Sequence, residues 1–213
     1  MKSTFSSLFA LAMMLGGLLS FSGAARADVA PDAFIKALAD EVMAQIKADK
    51  DLQSGDIKKI SALVDAKIMP NVNFQRMTSL ALGRYARTAT PDQQKQVQEQ
   101  FRMLLTRTYA SAFAAAKDAT IQLRPLRAAP DDTEVVVRSQ VIPAQADPVQ
   151  LDYRLEKSGA SWKIYDINVL GIWLVETYRA SFAQEIEKTG IDGLIKSLSD
   201  RNKRLEAAGN KKS

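Results

Sequence analysis

The sequence predicts an α+β fold, with helices laid on one face of a curved antiparallel sheet of about four short strands. Three observations carry this. Helical periodicity fills the chain from Pro31 to about Ala116 and returns after Gly171. Between them come strand-like stretches at hairpin spacing, which favours antiparallel pairing. The stretch from Val149 to Phe182 then joins both periods. Val149, Leu151, Tyr153 and Leu155 alternate with Gln150, Asp152, Arg154 and Glu156, while Ile172, Val175, Tyr178 and Phe182, continuing to Ile186, recur every three or four residues. A hairpin cannot bury its apolar face alone, nor can an amphipathic helix. The rest of the chain must cover both or leave a cavity between them.

Taken in order, the chain opens on a leader. Lys2 supplies positive charge, Leu8 to Leu19 is an unbroken apolar run, and Ala25-Arg26-Ala27 fits small-x-small cleavage. The run is shorter than the ~20 residues of a comfortable membrane span. Residues 1–27 are therefore expected to be a cleaved signal peptide, leaving 28–213 as a single exported domain with a helical N-terminal part. Pro31 to Lys47 places Phe34, Leu38, Val42 and Ile46 on one stripe. After a polar break, Asp56 is expected to cap a helix that turns Ile57, Ile60, Val64 and Ile68 inward. Pro70-Asn71 ends it, and Phe74, Met77, Leu80, Ala81 and Tyr85 suggest a third, short helix. Thr90-Pro91-Asp92-Gln93 is a capping-box start. The helix it opens is expected to run to about Ala116 with Val97, Phe101, Leu104, Leu105, Thr108, Ala112 and Phe113 inward.

Strands are expected at Thr120–Leu123, Thr133–Ile142, Val149–Glu156 and Trp162–Val169, with Ser158-Gly159-Ala160 as the hairpin turn. A helix follows from Ile172. Thr189-Gly190 reads as its stop, Asp192 as the cap of a last helix through Leu194, Leu198 and Leu205, and the tail from Ala207 as frayed.

Composition excludes several chemistries. The chain has no His and no Cys, so it has no Ser-His triad, Cys nucleophile, disulfide, or imidazole or thiolate metal site. No Gly-rich phosphate loop is present. Removing Lys2 and Arg26 with the leader lowers the formal charge from +5 to +3. That surplus suits loose attraction to an anionic membrane surface, and no basic run interleaved with aromatics points to nucleic acid.

Two blocks carry a family resemblance. VDAKIMPNVNFQRMTSLALGRYARTATPDQQKQVQEQFRMLLTRTYASAF, from Val64 to Phe113, resembles the first signature block of the MlaC family, the periplasmic phospholipid-binding proteins of a bacterial lipid-asymmetry ABC transport system. WKIYDINVLGIWLVETYRASF with KTGIDGLIKSL, from Trp162 to Leu198, is similar to the second. The LALGRY, ATPDQQ, YD-x5-G and GIDGL elements stand in the family's order, and the N-terminal helix resembles the family least. The resemblance implies an NTF2-like cone whose curved sheet and helices enclose an apolar cavity for acyl chains. It also implies a carrier rather than an enzyme, without a cofactor, which shuttles phospholipid between an outer-membrane lipoprotein–porin complex and an inner-membrane ABC transporter complex. A monomer suits such a shuttle.

Physical chemistry agrees with that role. Two acyl chains carry roughly 28 methylenes, and at about 0.8 kcal/mol each their exposure to water would cost on the order of 20 kcal/mol. A cavity as apolar as the bilayer removes most of that cost. A pocket for two chains is expected at the upper end of the roughly 300–1,000 Å³ range of ligand sites. The expected lining is Leu151, Tyr153 and Leu155 of the hairpin, Val135, Val137 and Val141 of the neighbouring strand, Ile172 and Val175 at the start of the covering helix, and Leu105 and Tyr109 of the long helix. A charge at Ile172 or Tyr153 is expected to expel the lipid. Met69, Met77 and Met103 read as gap-filling core or adaptable lining, and Arg84 and Arg87 as surface cations. Two alternatives stand beside the carrier. One is an isomerase or lyase on the same fold, with Asp166 or Asp152 as base and Tyr109 or Tyr153 as hydrogen-bond donor. The other is a protein-binding module with a solid core.

Overall fold

The structure is a computed structural model that describes residues 28–129, 131–144 and 146–210; the leader read over 1–27 lies outside them. Helix α1 (Pro31–Ala48) carries Pro at its start and Lys47 in its last turn. The polar break forms a short helix, α2 (Lys50–Ser54), which ends on Gly55 at φ 87°. Asp56 caps α3 (Ile57–Leu63), accepting from the amides of Lys58 and Lys59 at 2.8 and 2.9 Å. The helix then widens into a π-helical turn over Val64–Ile68. Helix α4 (Phe74–Leu82) is capped by Asn73, and α5 (Pro91–Thr108) begins with the capping box of Thr90 and Gln93.

The long helix does not reach Ala116 unbroken. Tyr109 leaves the helical region (φ −102°, ψ 10°), and α6 (Ala110–Ala115) resumes beyond it. Before the break, Thr108 is exposed rather than inward, whereas Thr106 is buried and bonds the Arg102 carbonyl at 3.0 Å; beyond it, Ala112 is exposed as well.

Among the described residues the sheet has six strands rather than about four: β1 (Thr120–Leu123), β2 (Glu134–Val137), β3 (Ser139–Ile142), β4 (Val149–Ser158), β5 (Ser161–Val169) and β6 (Ile172–Trp173). All its pairings are antiparallel, in the order β1-β3-β4-β5-β6, with β2 also on β4. The stretch expected as one strand over 133–142 splits at Arg138. There the Ser139 amide turns to Asp152 Oδ1 (3.2 Å) and its hydroxyl to the Leu151 carbonyl (2.5 Å). A bulge between Arg154 and Leu155 adds a second irregularity, the kind that bends a sheet.

Helix α7 (Leu174–Asn210) follows directly. The helix expected from Ile172 starts two residues later, because Ile172 and Trp173 form β6 against Asn168 and Val169. Gly190 interrupts α7 at φ 74° and ψ −179°. Asp192 accepts from the Gln93 side chain at 2.8 Å and so ties the second half of α7 to the start of α5. Gly193 is required here, since a Cβ would lie 2.0 Å from Thr189 Oγ1. The helix runs on to Asn210, beyond the expected fraying point.

Three apolar clusters hold the layers. Phe74, Phe101, Tyr178 and Phe182 join α4, α5 and α7, with ring centroids 4.7–5.7 Å apart. Phe34, Val135, Val137, Leu155, Trp162 and Ile164 join α1 to the sheet, and Ile46, Leu52, Ile60, Leu63 and Val64 join the first three helices. This is the α+β arrangement the sequence predicts, NTF2-like in placing helices over an open antiparallel sheet. Among the described residues no helix is long and apolar enough to cross a membrane.

Candidate functional site

The three clusters surround an apolar cavity of about 420 Å³. The sheet contributes Ile121, Val141, Val149, Leu151, Tyr153, Ile164, Ile167 and Val169. Strand alternation brings them together: on β4 and β5 these residues point inward while Asp152, Arg154, Asp166 and Asn168 point out. Register aligns Ile121 with Val141, Val141 with Val149 and Leu151 with Val169, a continuous apolar row across four strands. The opposite wall is helical: Leu38, Val42 and Met43 of α1, Val64 and Ile68 of the π-turn, Phe74 and Met77 of α4, Leu105 of α5, then Tyr109 and α6. The lining holds few polar groups, namely Arg102, Thr106 and the two tyrosine hydroxyls. Arg102 is ion-paired to Asp65 of the π-turn. Burial raises the pKa of both Tyr109 and Tyr153, so both phenols stay protonated. Of the residues whose exposure is described, only Ala112 and Ala115 of α6 are exposed while lining the cavity, which sets its opening beside α6, at the end of the sheet where β1 begins and β5 ends.

Five expected lining residues meet at this cavity: Leu105, Tyr109, Val141, Leu151 and Tyr153. The other five stand elsewhere. Val135, Val137 and Leu155 point to the same side of the sheet but are closed over by α1 and Trp162. Val175 is packed among the α4, α5 and α7 residues. Ile172 lies on a hairpin, is 59 % exposed and does not line the cavity. Sequence reasoning missed the whole α1 wall. Its signal was the Phe34-Leu38-Val42-Ile46 stripe, which marks an inward face without saying what it faces. Met69 and Met77 line the cavity, as does Met43; Met103 does not. The volume is well short of the upper end of the roughly 300–1,000 Å³ range that was expected for two chains.

The proposed bases stand on the other face. Asp166 is 1 % exposed and accepts from the amides of Ile167 (2.9 Å) and Val175 (3.0 Å) and from Arg154 Nη1 (2.9 Å). Burial pushes its pKa up, against the pull of those donors. Asp152 is occupied by the Ser139 amide and the Gln150 side chain. Neither carboxylate lines the cavity, so the Asp/Tyr pair of the isomerase reading is not assembled. A second depression, of about 460 Å³, lies on this outer face among Arg127, Asp132, Glu134, Val136, Arg138, Arg154 and Tyr165. It is charged and partly cross-braced. Arg76 bridges Glu134 and Glu156 and stacks 3.8 Å from the Tyr165 ring, while Arg154 lies 3.9 Å from the Trp173 ring. Among the described residues no group of three acidic side chains converges to hold a metal.

An apolar cavity held between an open sheet and its covering helices, with an opening at one end of the strands, defines a binding protein for a hydrophobic ligand. Comparison with known proteins agrees. The chain belongs to the MlaC family: the family model described as MlaC protein matches residues 36–200. It is 25% identical over 175 residues to the intermembrane phospholipid transport system binding protein MlaC of Haemophilus influenzae, spanning 81% of this chain and 82% of that protein. Toluene tolerance protein ttg2D of Pseudomonas putida is 24% identical over 163 residues, 76% of this chain and 75% of that one. Among solved structures, a phospholipid-binding protein from Ralstonia solanacearum in complex with a phospholipid superposes with a TM-score of 0.80 at 48% identity, covering 84% of this chain and 99% of that one.

Proposed function

We propose that this protein is a periplasmic phospholipid carrier that holds acyl chains in the cavity between sheet and helices and moves lipid between the inner-membrane transporter and the outer-membrane complex of its transport system. The observation that carries this reading is the cavity wall, hydrocarbon over nearly all its extent, in a chain 48% identical to a protein solved with phospholipid bound. Such a wall exchanges bilayer for protein at little cost in free energy, because both environments are apolar. Met43, Met69 and Met77 give it adaptable surfaces that move to follow a chain of variable shape. The phosphate headgroup remains at the opening, in water, so the inner wall needs no reader for it. Binding rather than catalysis is the role this reading assigns, and it is supported by Asp166 and Asp152 lying outside the cavity lining.

The test is native mass spectrometry of the protein purified from a bacterial periplasm, with extraction of whatever it holds. A phospholipid mass at near-stoichiometric occupancy is expected. A ligand-free mass that stays unchanged after incubation with phospholipid vesicles would refute the carrier.

A further inference from the structure

Leu170 and Ile172 are 64 % and 59 % exposed, the most exposed large hydrophobic side chains among the described residues, and they flank Gly171 on one turn. Val169 pairs with Ile172, leaving a two-residue loop whose residues both have positive φ, 53° at Leu170 and 88° at Gly171. That is the pattern of a type I′ turn, where Asn-Gly is the favoured pair. A leucine in the left-handed region carries steric strain that asparagine or glycine would relieve. The strained residue is thus also a bare aliphatic one.

The backbone of this turn is prepared to leave water. The Leu170 amide donates to the Gln150 carbonyl at 3.0 Å, and the Gly171 amide donates to Asn168 Oδ1 at 2.8 Å, which accounts for the burial of Asn168. An apolar medium penalises unsatisfied donors heavily, and these two are already paired. From Ile167 to Val175 no residue is charged. The turn also stands at the end of the sheet that opens: Val169, its immediate neighbour, lines the cavity.

We propose that the Leu170-Gly171-Ile172 turn is a membrane-contact tip, which seats its two aliphatic side chains in the hydrocarbon edge of a lipid bilayer and holds the cavity opening against that surface. The inference rests on the carrier reading and adds the surface from which cargo is taken. A bilayer is favoured over a protein partner by size. Two side chains offer far less than the roughly 800 Å² per partner of a specific protein interface, whereas insertion into lipid requires no complementary shape. The mild positive charge of the mature chain adds weak attraction to an anionic surface.

The chain has no cysteine, so Ile172→Cys gives a unique attachment site for an environment-sensitive fluorophore. With vesicles of phosphatidylcholine and phosphatidylglycerol and no other protein, the label is expected to shift to the blue and to be quenched by acyl-brominated lipid. The same label at Lys188→Cys, exposed on α7, is expected to do neither. A second variant, Leu170→Asn with Ile172→Ser, retains a turn of favoured Asn-Gly type. It is expected to keep its fold and its capacity to be loaded with phospholipid from detergent, while transfer between vesicles falls about tenfold. A label that stays in water while the protein still transfers lipid would overturn the inference, as would wild-type transfer by the double variant. Loss of binding to a partner protein with vesicle transfer intact would also overturn it, assigning the tip to that partner. A wild-type chain that neither holds nor transfers phospholipid fails the carrier reading instead, and the fluorophore still reports the tip separately.

Discussion

Strands β4 and β5 present two faces built from alternate residues of the same two segments, and the faces are finished in opposite ways. The inner face, with Leu151, Tyr153, Ile167 and Val169, is apolar yet left partly unpacked around a cavity. The outer face, with Asp152, Arg154 and Asp166, is polar yet tightly satisfied: all three side chains have partners, and the two carboxylates are buried. In an ordinary domain the apolar face is closed and the polar face is loose. The inversion shows how one sheet can keep an unfilled apolar wall. Rigidity comes from hydrogen bonds and ion pairs on the outside, so the inside is free to stay open.

The comparison can be broken or sharpened by substitution. The largest effect is expected at Asp166→Ala, which strips the acceptor from two backbone amides and leaves Arg154 with the Trp173 ring and, at 3.3 Å, Glu176. A loss of about 3 kcal/mol in urea unfolding is expected, and Asp166→Asn should lose less because one oxygen still accepts from both amides. Next come two adjacent leucines of α5. Leu104 is fully buried, and Leu104→Ala is expected to cost about 2–5 kcal/mol. Leu105 faces the cavity, so Leu105→Ala only widens space already present and should cost about 1 kcal/mol. Equal losses would mean that the cavity is closed in solution. The smallest effect concerns Glu134. Hydrogen bonding from Arg76, at 2.6 Å, and then from Tyr165 holds its pKa below the usual carboxylate value. Its contribution is therefore present above the unfolded-state pKa and is lost as pH falls through the lower, folded-state value. Glu134→Gln should flatten the acid limb of the stability profile by about 0.5 kcal/mol or less, since the Glu134 side chain is half exposed.

Local chemistry was legible in the sequence wherever a local signal decides the outcome. The alternation in β4, the Asp56 cap and the Thr90-Gln93 box all appear where their residues place them. What stayed hidden depends on the distance between elements. Leu104 and Leu105 are chemically identical neighbours, yet one meets packed side chains and the other meets space, and no local period separates them. Ile172 shares the three-to-four spacing of Val175, Tyr178 and Phe182, but the turn at Leu170-Gly171 makes it a strand residue before the helix begins. The α1 stripe was visible, while its role as a cavity wall depends on where α1 docks. The split at Arg138 follows from contacts of Ser139 with β4, thirteen and twelve residues away in sequence.

The most direct test of the open inner face compares two charges on one sheet. Leu151→Glu points into the cavity, and Val136→Glu lies at the outer depression. Each variant would be loaded with phospholipid from detergent and its occupancy read by native mass spectrometry, with circular dichroism confirming the fold. Leu151→Glu is expected to emerge empty and Val136→Glu fully loaded. A folded Leu151→Glu that keeps full occupancy would contradict the assignment of the cavity as the lipid site.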